Sequence, residues 1–282
     1  MAQEQGNAIG GKATQPSPLT TPLPWDLVAH AYEADNLPVL EPFSRHALEL
    51  LAPVAGARVI DVACGPGTLS VLAAQRDCRV DAIDFAPLMI ERLEARLRAE
   101  GLTSITPRVG DGQALPYEPA TFAAGFSMFG LIFFPDRAKG FAELRRVIAP
   151  GGRALVASWT PMDDQPALSV MFESVFRALG QPRPKVPTVL GTPDDCRAEM
   201  SAAFADVEVH RIANTSEAPS VREMWASIVR GMAPMALMRK TIGAEVWAAK
   251  VDPVVIPALE GVLGTGKVSL KMTALLSVGT AR

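Results

Sequence analysis

Cysteine is scarce in this chain, and that is the first constraint. Cys64, Cys78 and Cys196 are scattered and odd in number, so a disulfide framework is excluded and a reducing, cytoplasmic setting is expected. Basic excess is also missing: 27 Lys and Arg against 30 Asp and Glu give a net charge of −3. No positive field is available to hold a phosphate backbone, so a nucleic-acid partner is not expected. No apolar run reaches the length of a membrane span, and the N-terminus has no apolar signal core. No repeat recurs along the chain. What is present is apolar residue in quantity, 49% of 282 residues, enough for one α/β domain with an added cap.

Residues 1–24, rich in Gln, Gly, Thr and Pro, read as a disordered leader. Residues 25–56 read as N-terminal helices forming a lid, with breaks near Pro38 and Pro42. From 57 to 160, short apolar strands at 57–63, 79–84, 105–109, 121–127 and 153–159 alternate with helices at 68–76, 87–100 and 137–148. Pro87 opens one of these helices, Gly101 closes it, and Pro150-Gly151-Gly152 stops the last. That alternation predicts a doubly wound, mostly parallel sheet. From 161 to 282, helices at 167–179, 194–204, 221–230 and 231–240 are expected as a cap. An extended link at 181–187 and strands at 206–212 and 268–278 complete a seven-stranded sheet.

Chemistry concentrates at the strand ends. Asp61 lies in the first strand, Asp84 ends the second and Asp111 follows the third. In a parallel sheet these ends share one rim, and a carboxylate about 20 residues beyond the first loop meets ribose hydroxyls in such folds. With no arginine or lysine close by, this rim repels a pyrophosphate and attracts a cationic nucleoside. Gly65 and Gly67 let backbone approach a ligand. A dinucleotide fingerprint would want glycine or alanine at the third place, where Ser70 stands.

Asp61-Val62-Ala63-Cys64-Gly65-Pro66-Gly67 resembles motif I of class I S-adenosylmethionine-dependent methyltransferases, with Ala63 where a glycine is usual. Ala82-Ile83-Asp84-Phe85-Ala86-Pro87-Leu88-Met89 resembles the second motif, and Gly110-Asp111-Gly112-Gln113-Ala114-Leu115-Pro116-Tyr117 the third. Phe126 to Leu131, Phe133 to Asp136 and Glu143 to Gly152 resemble the segments around strands four and five. The resemblance covers residues 25–160 and is to the small-molecule, quinone-biosynthesis-like branch. It implies a Rossmann-like fold with S-adenosylmethionine as cofactor, and roles at the matching positions. Ala63, Gly65 and Gly67 would form the methionine-side wall, Asp61 would support the ammonium indirectly, and Asp84 would bind the ribose diol. Asp111 would accept the adenine amino group with Gly112, Gln113 and Ala114 beside it, and Phe85 and Met89 would touch the ring. Ser127 would open onto the methyl.

The acceptor is expected to be a small, apolar or aromatic molecule, with Trp25, Tyr32, Met128 and Trp159 lining its pocket and Phe43, Met162, Met171, Phe172, Trp225, Met232, Met235 and Met238 as further candidates. His30 and Tyr32 are the candidate general bases, although their spacing of two does not place them on one helix face. No metal site is expected: Asp163-Asp164 and Asp194-Asp195 suit loop and helix-start settings. Two alternatives remain open: a nicotinamide-dependent oxidoreductase on the same fold, and a non-catalytic S-adenosylmethionine-binding protein.

Overall fold

In the computed structural model, which describes residues 17–184 and 188–282, the first helices meet at Asn36 rather than at a proline. Helix α1 (Leu23–Asp35) ends there and α2 (Leu37–Leu51) runs through both Pro38 and Pro42. Pro38 sits in the first turn, where no backbone donor is needed, and Pro42 forfeits only one bond. The expected leader lies outside the described residues up to 16, and of the expected link so do 185–187.

The sheet core follows: β1 (Arg58–Val62), α3 (Thr68–Ala74), β2 (Arg79–Asp84), α4 (Pro87–Glu100), β3 (Ile105–Val109), β4 (Phe122–Met128), α5 (Arg137–Val147) and β5 (Ile148–Trp159). Helix α4 shows why the local sequence folds so. Pro87 occupies its first turn, Met89, Ile90, Leu93 and Leu97 form its buried stripe, and Gly101 closes it in the left-handed conformation at φ +66°. Strand β5 starts at Ile148, five residues earlier than expected. The Pro150-Gly151-Gly152 turn is absorbed into it: Gly151 N–H donates to Ala281 O at 2.7 Å and Ala281 N–H to Gly152 O at 2.8 Å. Beyond β5 come α6 (Pro166–Ala178), α7 (Pro193–Met200), β6 (Ala205–Ala218), α8 (Val221–Gly231), α9 (Ala233–Ile242), α10 (Ala244–Lys250), α11 (Asp252–Leu263) and β7 (Val268–Thr280). Strand β6 outruns its expected end at Ile212, since polar residues 214–217 lie on an edge strand that only β7 covers. Helix α7 stops at Met200, short of the expected Phe204.

The seven strands are ordered β3-β2-β1-β4-β5-β7-β6, parallel from β3 to β5. Strand β7 is antiparallel to both β5 and β6, so β6 runs in the same direction as β5. The carboxyl end of β6 therefore lies on the same rim as those of β1, β2 and β4. Helices α8 to α11, inserted between β6 and β7, leave and return at that rim. Their own core joins Trp225, Trp247, Val255 and Leu259 to Met171 and Val175 of α6.

Helix α1 spans the gap between sheet and cap. On one side Asp26 Oδ1 accepts from Leu88 N–H at 3.0 Å, and Glu33 pairs with Arg92 at 3.0 Å. On the other, the buried Asp35 carboxylate accepts from Ser227 Oγ at 2.7 Å and from Arg230 Nε and Nη2 at 3.0 and 2.8 Å, while Asn36 Nδ2 donates to Gly231 O at 2.6 Å. Replacing Asp35 by alanine removes three of these bonds. It should cost about 1–3 kcal/mol and raise amide hydrogen exchange in residues 23–51 and 221–231 above that of β1 and β4. Unchanged exchange in those segments would show that this clasp does not hold the lid.

Candidate functional site

Beneath the lid and cap lies a cavity of about 1010 Å3, bounded by the sheet rim below, α1 and the start of α2 on one side, and α6, α8 and the ends of β6 and β7 above. Its size reaches the upper end of small-molecule sites, roughly 300–1,000 Å3.

The loop after β1 builds the floor. Ala63, Gly65 and Gly67 all adopt left-handed backbone, at φ +58°, +54° and +82°. Glycine does so freely; Ala63 does so against a penalty of roughly 1–2 kcal/mol. Asp84 fixes this loop: its Oδ2 accepts from Gly65 N–H at 2.8 Å and its Oδ1 from Ala86 N–H at 2.9 Å. Asp61 is 1% exposed. Its Oδ2 accepts from Ser70 Oγ at 2.6 Å and its Oδ1 has no partner. Ser70, the residue that breaks the dinucleotide fingerprint, thus serves as the donor to this carboxylate. Burial pushes Asp61 up to about 7 and Asp84 up to about 6; their hydrogen bonds only partly counter the desolvation.

Of the predicted residues, Ala63, Gly65, Asp84, Phe85, Met89, Asp111, Gly112 and Gln113 line the cavity. Asp111 Oδ1 accepts from Gln113 N–H at 2.8 Å, and Gln113 Oε1 accepts from Asp136 N–H at 2.8 Å, so the two form one rigid edge. Gly112 is pressed so close that a Cβ would lie 2.4 Å from Phe134. Asp61 and Gly67 do not line the cavity. Neither does Ser127, expected to open onto the methyl: it is fully buried and accepts from Leu131 N–H at 3.2 Å, holding the following turn. Met128 and Phe129 face the cavity instead.

Much of the remaining wall is apolar. Trp25 and Tyr32 line the cavity as expected but cluster with Phe85 and Met89, while Trp159, Met162, Phe172 and Met232 line it farther along. Phe43, Met171, Trp225 and Met235 are core residues, and Met238 packs against the cap. Phe129 was not foreseen. It stacks on Trp159 at 3.9 Å with a left-handed φ of +61°, an unusual conformation for a bulky residue. His30 is exposed and lies outside the cavity. The helix phase could have found this, since Trp25, Val28, Ala29 and Tyr32 mark the inward face of α1 at spacings of three and four. The phenol of Tyr32 is pushed well above its ordinary value by burial and by the charge of Asp84. Asp195 completes a capping box with Thr192, Asp194 pairs with Arg197, and Asp164 pairs with Arg211.

Among the charged lining residues acid outnumbers base: Asp84, Asp111 and Glu223 line the cavity, Glu217 is paired with Lys267 at 2.6 Å, and the one cation among its described lining residues, Arg230, is neutralised by Asp35. Asp84 and Asp111 on the wall, with no free cation among the described lining residues, fit a cationic nucleoside and not a pyrophosphate.

A family model described as a methyltransferase domain matches residues 59–152. Demethylmenaquinone methyltransferase of Deinococcus radiodurans is 32% identical over 182 residues, covering 63% of this chain and 73% of that protein. An uncharacterised protein of Mycobacterium tuberculosis is 35% identical over 136 residues, 48% of each chain, so this chain spans about half the length of that curated relative. Among solved structures, the YcgJ protein of Bacillus subtilis superposes with a TM-score of 0.56 at 18% identity, over 84% of this chain and 99% of that one, a likeness of fold. No helix among the described residues is long and apolar enough to cross a membrane.

The raised Asp61 carboxyl has a consequence for stability. The folded protein keeps that proton until about pH 7, whereas the ordinary value is 3.8. In that window the folded state binds more protons than the unfolded chain, so the contribution of Asp61 is full below pH 3.8 and is lost as pH rises through 7. The Asp61→Asn protein should be more stable than the parent at pH 8 and show a flatter stability profile between pH 4 and 7, with a remaining slope from Asp84. Urea unfolding at a series of pH values tests this. An unchanged slope would assign the pH dependence elsewhere.

Proposed function

The chain belongs to the class I S-adenosylmethionine-dependent methyltransferases, and on that premise we propose that it transfers the methyl group of this cofactor to a small, apolar or aromatic molecule. The observation that carries the reading is one cavity that joins Asp84, Asp111 and Gln113 to aromatic and thioether side chains, with no free cation among its described lining residues. When bound, the sulfonium supplies an already activated methyl.

The protein's residues then have to hold and align. Gly65 and Ala63 form the wall on the methionine side, with the carboxylate of Asp61 supporting the ammonium from behind it. Asp84 is placed for the ribose diol, its two backbone donors keeping it fixed. Asp111, Gly112 and Gln113 form the adenine edge, with Phe85 and Met89 against the ring. Trp25, Met128 and Trp159, joined by Phe129, orient the acceptor. Excluding water and fixing an in-line approach can supply roughly 7–11 kcal/mol of the barrier reduction.

A general base is not evident in this arrangement. His30 faces outward, and Tyr32 holds its proton at neutral pH, which makes its phenol a hydrogen-bond donor beside Asp84 and a poor base. Asp35 is committed to Ser227 and Arg230.

Two measurements test this. Asp84→Ala should weaken S-adenosylhomocysteine binding about 100-fold, equivalent to about 2.7 kcal/mol, as read by calorimetry, while the parent binds no nicotinamide dinucleotide. Incubation of the protein with isotope-labelled S-adenosylmethionine and a metabolite extract should label low-molecular-weight products. Label confined to bulk RNA or protein would overturn the small-molecule reading.

A further inference from the structure

Tyr32 carries an unused hydrogen-bond donor from the lid to the cavity wall. It lies on α1 and packs in one cluster with Trp25, Phe85 and Met89. Asp84 is near enough to act on its phenol by charge, yet no hydrogen bond joins them: the two Asp84 oxygens accept from Gly65 N–H and Ala86 N–H. The Tyr32 side chain is only partly covered, although burial is the larger cause that holds its proton. The surface it keeps is therefore that of the cavity it lines. Its hydroxyl is open there and makes no hydrogen bond to any described residue.

S-adenosylmethionine presents a carboxylate as well as its sulfonium and ammonium. A wall that suits the two cations is wrong for the anion. The one cation among the described lining residues, Arg230, is paired with Asp35. Backbone N–H groups of a glycine turn can take up an anion, but here they are spent. Cys64 N–H donates to Ile83 O at 3.1 Å, Gly65 N–H to Asp84 Oδ2 at 2.8 Å and Gly67 N–H to Cys64 O at 3.0 Å, while Pro66 has none to give. In the cluster of lid and α4 residues, Trp25 Nε1 already donates to Leu19 O at 2.9 Å. That leaves the Tyr32 hydroxyl as the unused side-chain donor of the cluster.

We propose that Tyr32 is a cofactor-binding residue, its hydroxyl donating a hydrogen bond to the carboxylate of S-adenosylmethionine. This rests on the reading of the cavity as the site of that cofactor. A phenol gives a hydrogen bond to an anion without placing a second positive charge beside the sulfonium. It also keeps its proton across the neutral range, so the donor persists. The lid then takes part in holding the cofactor, and its inward face is set by that task as well as by packing.

The test compares S-adenosylhomocysteine with its decarboxylated form, which keeps adenosine, thioether and amine and lacks only the carboxylate. Both are titrated calorimetrically into the full chain, with no turnover required. Tyr32→Phe preserves the packed ring and removes the hydroxyl. It is expected to weaken S-adenosylhomocysteine about ten-fold and to change the affinity of the decarboxylated form by less than about two-fold. An equal loss for both ligands would give the hydroxyl a structural role or another partner on the cofactor and overturn the proposal. No loss for either would overturn it too. A wild type that does not bind S-adenosylhomocysteine would instead overturn the functional reading beneath it.

Discussion

The carboxylate of Asp84 accepts from the backbone N–H groups of Gly65 and Ala86, and so ties the loop after β1 to the turn after β2. These are neighbouring parallel strands with residue-by-residue register from Arg58 and Arg79 to Val62 and Ile83. The bond joins their ends at the one place where the ladder stops. Through Ala86 it also fixes the start of α4, whose Met89 packs with Val28 and Ala29 of the lid. Loop, helix α4 and lid therefore take their positions from one side chain, which is itself buried and reluctant to ionise. The rim places carboxyl groups where they are poorly solvated, and a nearby cation favours their charged form.

The cap is located by topology rather than by any single contact. Because β7 runs against β5 and β6 runs with it, whatever connects β6 to β7 must leave and re-enter at the carboxyl rim. Helices α8 to α11 fill that connection and bury their own apolar core against α6. The clasp between Asp35 and Arg230 then closes the side wall, so lid and cap become one roof over the strand ends.

The sequence showed most plainly what depends on short range. Strands β2 and β3 lie at the bounds expected of them, Arg79–Asp84 and Ile105–Val109, and Asp61, Asp84 and Asp111 follow from their positions in or after the strands. The apolar wall of the cavity was legible only in kind. Trp159 could be placed because it ends a strand at the rim, but Phe129 reaches the cavity by stacking on Trp159 and Met272 by pairing with Asn214, contacts between positions far apart in the chain. Helices α10 and α11 escaped notice because residues 244–263 carry few polar residues to mark a face. His30 was singled out for its chemistry, while the phase of α1, set by Trp25, Val28, Ala29 and Tyr32, turned it outward.

Strain gathers where the turns after β1 and β4 meet. Ala63 at the end of β1 and Phe129 at the end of β4 both hold left-handed backbone that non-glycine residues avoid. Between them lies Gly130, where an added Cβ would fall 2.2 Å from the Cβ of Ala63. The two strained turns are thus pressed together through a residue that has to be glycine. This contact also turns the Phe129 ring onto Trp159. Relaxing Phe129 to an ordinary backbone would move that ring and break the stack. The strain is held by the buried bonds on either side: Phe129 N–H to Ala157 O at 3.2 Å and Leu131 N–H to Ser127 Oγ at the same distance. Ser127, which faces no ligand, thereby acts on the site through the shape of the turn it secures.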